Sequence, residues 1–285
     1  MQMTRAGAVF PSLLASLAEE GGLAPSITAK SIFGEGRGLY IRSRSPEELI
    51  PPAVETSPMT PPLAVDIDGT LTRPDDSLDP RVFDPIRGWD APVVIATGKS
   101  FPYPVGLCEF LGVPINVVAE NGGVVYVEAA DAIVYNGDPE SAAAVAAAYR
   151  EAGYELGWGA VDPINRWRET ELAVARDQPL EPLVEIADEH ALVVVDTGYA
   201  YHVKAPDMDK GRGLETAAAA LGADPGSFVA VGDSENDAEL FECVGRAFAV
   251  GNADETAKAA ADEVTEAAFA DGFLQALDRI NASVS

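Results

Sequence analysis

Asp66 and Asp68 stand one residue apart in LAVDIDGTLT, residues 63–72, where a short apolar run ends. Two carboxylates there repel each other, and Asp66 interrupts a segment that is otherwise fit for burial, so the pair calls for a task. An Asp-Gly turn explains Gly69 but not Asp66. A calcium loop starting at Asp66 fails on spacing: its sixth position is Leu71 where glycine is needed, and its twelfth is Ser77 where glutamate is needed. A loop starting at Asp233 fails the same way, with Ala238 in sixth place.

Further polar residues follow other apolar runs. Thr97 and Gly98 follow VVIA, and Asp233 and Asp237 sit in VGDSENDAEL. Lys210 opens the helical pattern of DKGRGL. Each has a plain reading by itself: a Thr N-cap, an acidic helix cap, a solvated charge cluster. Taken in order, they place hydroxyl and carboxylate groups at the carboxyl ends of successive strands, where open parallel sheets bind ligands.

The elements that must position them alternate. LAVDI, APVVIAT, PINVVAE, SFVAVGD and RAFAVG read as buried strands separated by helical patterns, which predicts an α/β fold: a Rossmann-like parallel-sheet core. The middle differs. GGVVYVEAADAIVYN and LVVVDTGYAYHVKAP read as hairpins, and ESAAAVAAAYREAG and EPLVEIADEH as helices. They predict an inserted α+β cap domain over 129–204, with the core at 62–128 and 205–285.

These motifs resemble the haloacid dehalogenase-like superfamily of phosphohydrolases: D-x-D-G-T at Asp66–Thr70, a strand-end threonine at Thr97, Lys210, and G-D-x-x-N-D at Gly232–Asp237. An insert between the threonine and the lysine resembles the branch with a C2-type cap. PPLAVDIDGTLT, ENGGVVY and GDSENDAELF resemble the archaeal phosphoglycolate phosphatases within it. The resemblance implies a Mg²⁺-dependent phosphatase that hydrolyses 2-phosphoglycolate through an aspartyl-phosphate. Asp66 is then the nucleophile and Asp68 the acid and base. Lys210, Thr97 and the Gly98 amide bind the phosphoryl group. Asp66, Asp68 (through its backbone carbonyl), Asp233 and Asp237 hold the cation. Arg166, Arg168 and Arg176 in the cap are candidates to pair with a substrate carboxylate, and Asn121 is a candidate for the cleft entrance. Alternatives are a sugar-phosphate or mannosyl-3-phosphoglycerate phosphatase, a phosphomutase, or a non-catalytic phosphometabolite-binding protein.

Composition narrows the partners. The 285 residues carry 46 Asp and Glu against 19 Lys and Arg, a net charge of −27. Such a surface repels nucleic acid and anionic membranes and fits solvation in a high-salt cytoplasm. A small-molecule phosphate monoester is the expected partner, and the protein is expected to be a cytoplasmic monomer or homodimer. Cys108 and Cys243 fit no metal spacing and are expected as reduced thiols, and two histidines are too few for a His-rich zinc site. Residues 1–58 are nearly neutral, with five basic and six acidic residues, and end in a Pro/Ser-rich stretch. The segment to residue 61 is therefore expected to be a disordered N-terminal extension or a mis-assigned start, with Met59 as the true start; GEGRG (34–38) is expected to be flexible linker.

Overall fold

The computed structural model describes residues 60–284, so the expectations for the leader up to residue 59 lie outside the described residues. The large sheet begins with β1 (Leu63–Val65), β2 (Val93–Ala96), β3 (Asn116–Ala119), β4 (Val124–Val127) and β5 (Ala132–Tyr135). The insert supplies β6 (Leu172–Ala175), β7 (Val193–Asp196) and β8 (Ala200–Lys204) to a second sheet. The large sheet is completed by β9 (Val229–Gly232), β10 (Arg246–Ala249) and β11 (Glu263–Val264). Its order is β11-β10-β9-β1-β2-β3-β4-β5, parallel from β11 to β3 and antiparallel beyond. The hairpin of β4 and β5 therefore extends the large sheet, and the expected boundary at 128/129 falls inside that hairpin. Strand β6, absent from the sequence expectation, pairs antiparallel with β8. Its four residues lie in an arginine-rich stretch, where charge masks the pattern.

Side chains of the large sheet divide between two apolar clusters, one on each face. Leu63, Val65, Val93, Ile95, Val231 and Phe248 share one apolar cluster with the last helix, Phe269–Val284. Ala64, Ala96, Ala230, Ala247 and Ala249 face the other way, in a second cluster with Val94, Val118, Val125 and Val127 that also holds Leu214, Ala217 and Ala218 of the helix Lys210–Leu221. Alternation of this kind follows from the two-residue period of a strand. That helix lies closely over β2, β3 and β4. At Gly213 an added Cβ would sit 2.3 Å from a Val118 methyl, so only glycine allows this approach. The approach matters because Lys210 is the first residue of that helix.

The insert has its own core. Helices Pro139–Glu151 and Leu180–Glu189 pack against the small sheet through Val145, Tyr149, Leu183 and Ala187, meeting Leu172, Val174 and Val203. None of the described helices is long and apolar enough to cross a membrane.

Gly122 links fold and site. Its φ is +96°, and an added Cβ would lie 1.8 Å from the Asp209 carbonyl oxygen, next to Lys210. Gly122→Ala is expected to destabilise the protein by about 3 kcal/mol and to lower activity, because the start of the Lys210 helix must move. Urea denaturation at high salt, with a turnover assay on the same preparation, checks both.

Candidate active site

Register sets the floor of the cleft. Val65 pairs with Ile95 on one side and Val231 on the other, so Asp66 sits level with Ala96 and Gly232. Its amide donates to the Val231 carbonyl at 3.0 Å, which extends the ladder one residue past the strand. The side chain is thereby held at the point where strand order reverses, between β1 and β9.

Lys210 meets Asp66 from the other face of the sheet. Its helix is capped by Asp209, whose carboxylate accepts from the Arg212 amide at 2.8 Å. The Lys210 ammonium donates to Asp66 Oδ1 at 2.8 Å and to Asp237 Oδ1 at 2.7 Å, and all three residues are buried. Asp237 uses its second oxygen on the loop itself, accepting the amides of Asp233 at 3.0 Å and Ser234 at 3.2 Å. Asp237 thus ties the fourth motif to the lysine. Burial alone would strip the Lys210 proton, but Asp237 and Asp66 more than offset that and hold its pKa above the ordinary value. Asp66 is pushed well up by burial, pulled back by Lys210, and pushed again by Asp237 and Asp233.

Asp233 has looser company. Thr70 donates to it at 3.4 Å and Asn252 Nδ2 at 3.5 Å. Burial, with Asp237 beside it, raises its pKa from 3.8 to about 7. Carboxylate oxygens of Asp66, Asp233 and Asp237 all lie within 4.8 Å of one another. An all-oxygen, anionic donor set with protons held against their ordinary pKa suits a hard divalent cation.

Asp68, Thr97, Gly98, Asn121 and Arg168 line the same cleft, of about 620 Å³, while Arg166 and Arg176 lie outside its lining. Asp68 points outward, half-exposed, and forms a 2.8 Å ion pair with Lys99. Thr97 is buried; its hydroxyl oxygen accepts from the Lys99 amide at 3.1 Å, which leaves the hydroxyl proton for a ligand. Gly98 lies against Asn121, whose Oδ1 would be 3.0 Å from a Cβ placed there. Asn121 joins three segments: it accepts from Asn236 Nδ2 at 3.0 Å and donates to Glu171 Oε2 at 2.9 Å. It sits at φ +52°, in the left-handed region, as does Glu120.

The insert forms the opposite wall. Arg168 and His202 both contact Glu171 Oε1, the histidine through Nδ1 at 3.2 Å. Burial, with Arg168 and Lys204 nearby, pulls His202 down to about 3, so it is neutral. Arg166 lies over the Trp167 ring, and Arg176 is exposed and paired with Asp196. Among the described residues, Ser100 Oγ and Arg168 Nε are the buried side-chain polar atoms without a partner, and both residues line this cleft.

Several contributors escaped the sequence reading. Lys99 stands beside Thr97 and Gly98 but reads as a helix-start lysine. Buried Glu120 accepts from the amides of Glu169 and Thr170 and from the Thr170 hydroxyl, fastening insert to core. Glu171 and His202 carry no motif, and only the fold brings them together. Cys108 and Cys243 are free thiols that do not line the cleft; burial pushes them up to about 12 and about 11.

Residues 63–152 and 176–277 match the family described as haloacid dehalogenase-like hydrolase. A phosphoglycolate phosphatase of Natronomonas pharaonis is 74% identical over 221 residues, 78% of this chain and 98% of the relative. One from Haloarcula marismortui is 59% identical over 76% of this chain and 96% of its own length. Among solved structures, a crystal structure from Thermoplasma acidophilum matches with a TM-score of 0.65 at 22% identity, covering 78% of this chain and 99% of that one. A haloacid dehalogenase-like hydrolase from Bacteroides thetaiotaomicron gives 0.61 at 21%, covering 77% and 99%. At that identity the likeness shows the fold.

Two outcomes follow from the charges. Lys210→Met leaves two buried carboxylates without their shared cation, and denaturant titration in chelator is expected to show a loss of about 3–5 kcal/mol. In the folded, metal-free protein Asp233 keeps a proton that the unfolded chain has already released between its ordinary 3.8 and about 7. Stability without metal should therefore fall as pH rises through that interval. Thermal melts should show Mg²⁺ raising Tm more at about pH 8 than at about pH 5.

Proposed function

The chain belongs to the haloacid dehalogenase-like hydrolases, and from that premise we propose that it hydrolyses 2-phosphoglycolate to glycolate and phosphate. It is a phosphoric monoester hydrolase whose substrate is a small phosphate ester. The observation that carries the finer reading is the buried Asp66 carboxylate, held by Lys210 at 2.8 Å on the cleft floor beside Asp233. The near-full-length likeness to haloarchaeal phosphoglycolate phosphatases supports the choice of substrate.

A phosphate monoester is already anionic, so positioning and charge neutralisation dominate its transfer. The phosphoryl group sits over Asp66. Lys210, the Thr97 hydroxyl and the Gly98 amide bind its oxygens and take up charge as it develops. An Asp66 oxygen attacks phosphorus, the P–O bond to glycolate breaks, and Asp68 passes a proton to the departing oxygen. Asp68 then takes a proton from water, which attacks the same phosphorus and releases the Asp66 carboxylate with inorganic phosphate. Lys210 serves both halves, because it keeps Asp66 ionised for attack and steadies it as a leaving group.

Mg²⁺ is the cation we assign to the carboxylate cluster, where it offsets repulsion between Asp66 and the substrate. Asp66 and Asp233 have oxygens to give it. Asp237 would balance the charge from behind, since it is already bound to Lys210 and two loop amides. The acidic surface fits a high-salt cytoplasm, in which the enzyme acts as a monomer or homodimer.

In molar KCl with Mg²⁺, a panel of phosphorylated metabolites is expected to give its highest kcat/KM with 2-phosphoglycolate; a sugar phosphate in that place would overturn the substrate. Asp66→Asn should lower turnover by at least about 10⁴-fold with an unchanged circular dichroism spectrum. Turnover near wild type in that variant removes Asp66 as nucleophile.

A further inference from the structure

The mechanism above accounts for the phosphate end of the cleft and leaves the insert's wall without a task. Arg168 is the distinctive group there. Its side chain is only 7% exposed, and Nη1 is committed to Glu171. Nε is buried with no partner at all. A buried donor left unpaired is destabilising, and a ligand acceptor would remove that penalty. The residue lines the cleft that also holds Asp66, Thr97 and Lys99.

We infer that Arg168 recognises the carboxylate of the leaving group, presenting the Nε edge of its guanidinium while Glu171 fixes the other side. This rests on the phosphoglycolate reading and deepens it by naming the group that selects the substrate.

Three observations support the assignment. First, Glu171 is unusually well held. Its buried carboxylate accepts from Asn121 at 2.9 Å on one oxygen and meets Arg168 and His202 on the other. Because His202 is neutral, Glu171 and Arg168 form one compensated pair, and the guanidinium is a pre-oriented fork with one edge open. Second, a hydrogen-bonded relay registers this fork to the catalytic loop: Asn236 donates to Asn121, and Asn121 donates to Glu171. The arginine's position is thereby set relative to Asp233 by side chains from both domains. Third, the other two arginines of the stretch are engaged elsewhere, Arg166 on Trp167 and Arg176 on Asp196. Arg168 and Glu171 also lie between the two stretches that match the wider family. A selective contact belonging to this chain's own leaving group fits there.

The test compares 2-phosphoglycolate with ethyl phosphate, which replaces the carboxylate by a methyl group, on the full chain with Mg²⁺ in molar KCl. Wild type is expected to prefer 2-phosphoglycolate by about 100-fold or more in kcat/KM. Arg168→Met should remove most of that preference, leaving ethyl phosphate within about threefold. A wild type without the preference overturns the phosphoglycolate reading and the proposal with it. A wild-type preference that survives in Arg168→Met overturns the arginine assignment alone. An equal fall on both substrates also overturns it, because it marks a structural role. Should the methionine variant not fold, Arg168→Lys keeps the charge and loses the fork. A loss of about tenfold confined to 2-phosphoglycolate supports the proposal, and an unchanged ratio of the two substrates overturns it.

Discussion

One ammonium shared by two buried carboxylates holds this site together. Asp66 comes from the end of β1, Asp237 from the turn after β9, and Lys210 from the start of a helix on one face of the sheet. None is stable in that place alone, since each charge has left water for an interior position. Together they carry a net negative charge, and Asp233 adds to it. The excess is of the sign that a divalent cation would neutralise. The arrangement also depends on how closely the helix lies on the sheet. Gly213 and Gly122 let the Lys210 helix lie near enough for a lysine side chain to reach the strand ends: a Cβ at Gly213 would meet Val118, and one at Gly122 the Asp209 carbonyl. A side chain at either glycine would push the helix start back from Asp66.

The joint between core and insert is polar and dense. Glu120 takes three donors from Glu169 and Thr170, and Asn121 beside it reaches Glu171. Both residues sit at φ +52°, a conformation that costs about 1 kcal/mol or more for a side chain of this kind. The hydrogen bonds they make in that geometry offset the strain. Burial raises the Glu120 carboxyl above its ordinary pKa, and the Thr170 and Glu169 donors pull it back. Two adjacent residues therefore tie the second strand-end motif, through the Thr97 and Lys99 carbonyls, to the insert's wall of the cleft.

Acidity is distributed by task. The surplus of Asp and Glu keeps the surface hydrated and the molecule away from polyanions. Inside, every buried carboxylate has donors, as Asp79 illustrates: Arg81 and Arg73 hold it well below the usual carboxylate range. In the carboxylate cluster mutual repulsion persists beside burial, and two pKa values rise.

The sequence by itself determined the parallel core and the placement of Asp66, Asp68, Thr97, Lys210, Asp233 and Asp237. Each follows an apolar run or opens a helix, and strand ends in an open sheet must share an edge. It could not rank Arg166, Arg168 and Arg176, which are equal as letters. Burial and the contact with Glu171 single out Arg168, and burial is a property of packing between segments. Nor could it assign β5 to the large sheet, because a hairpin's alternation is the same whichever sheet it joins. The Glu120 anchor and the Glu171–His202 contact were equally hidden, since each joins residues about 30 to 50 positions apart. Local pattern determined what each segment is. Only the tertiary structure decided which side chains meet, because contact depends on distances in space that spacing along a chain does not encode.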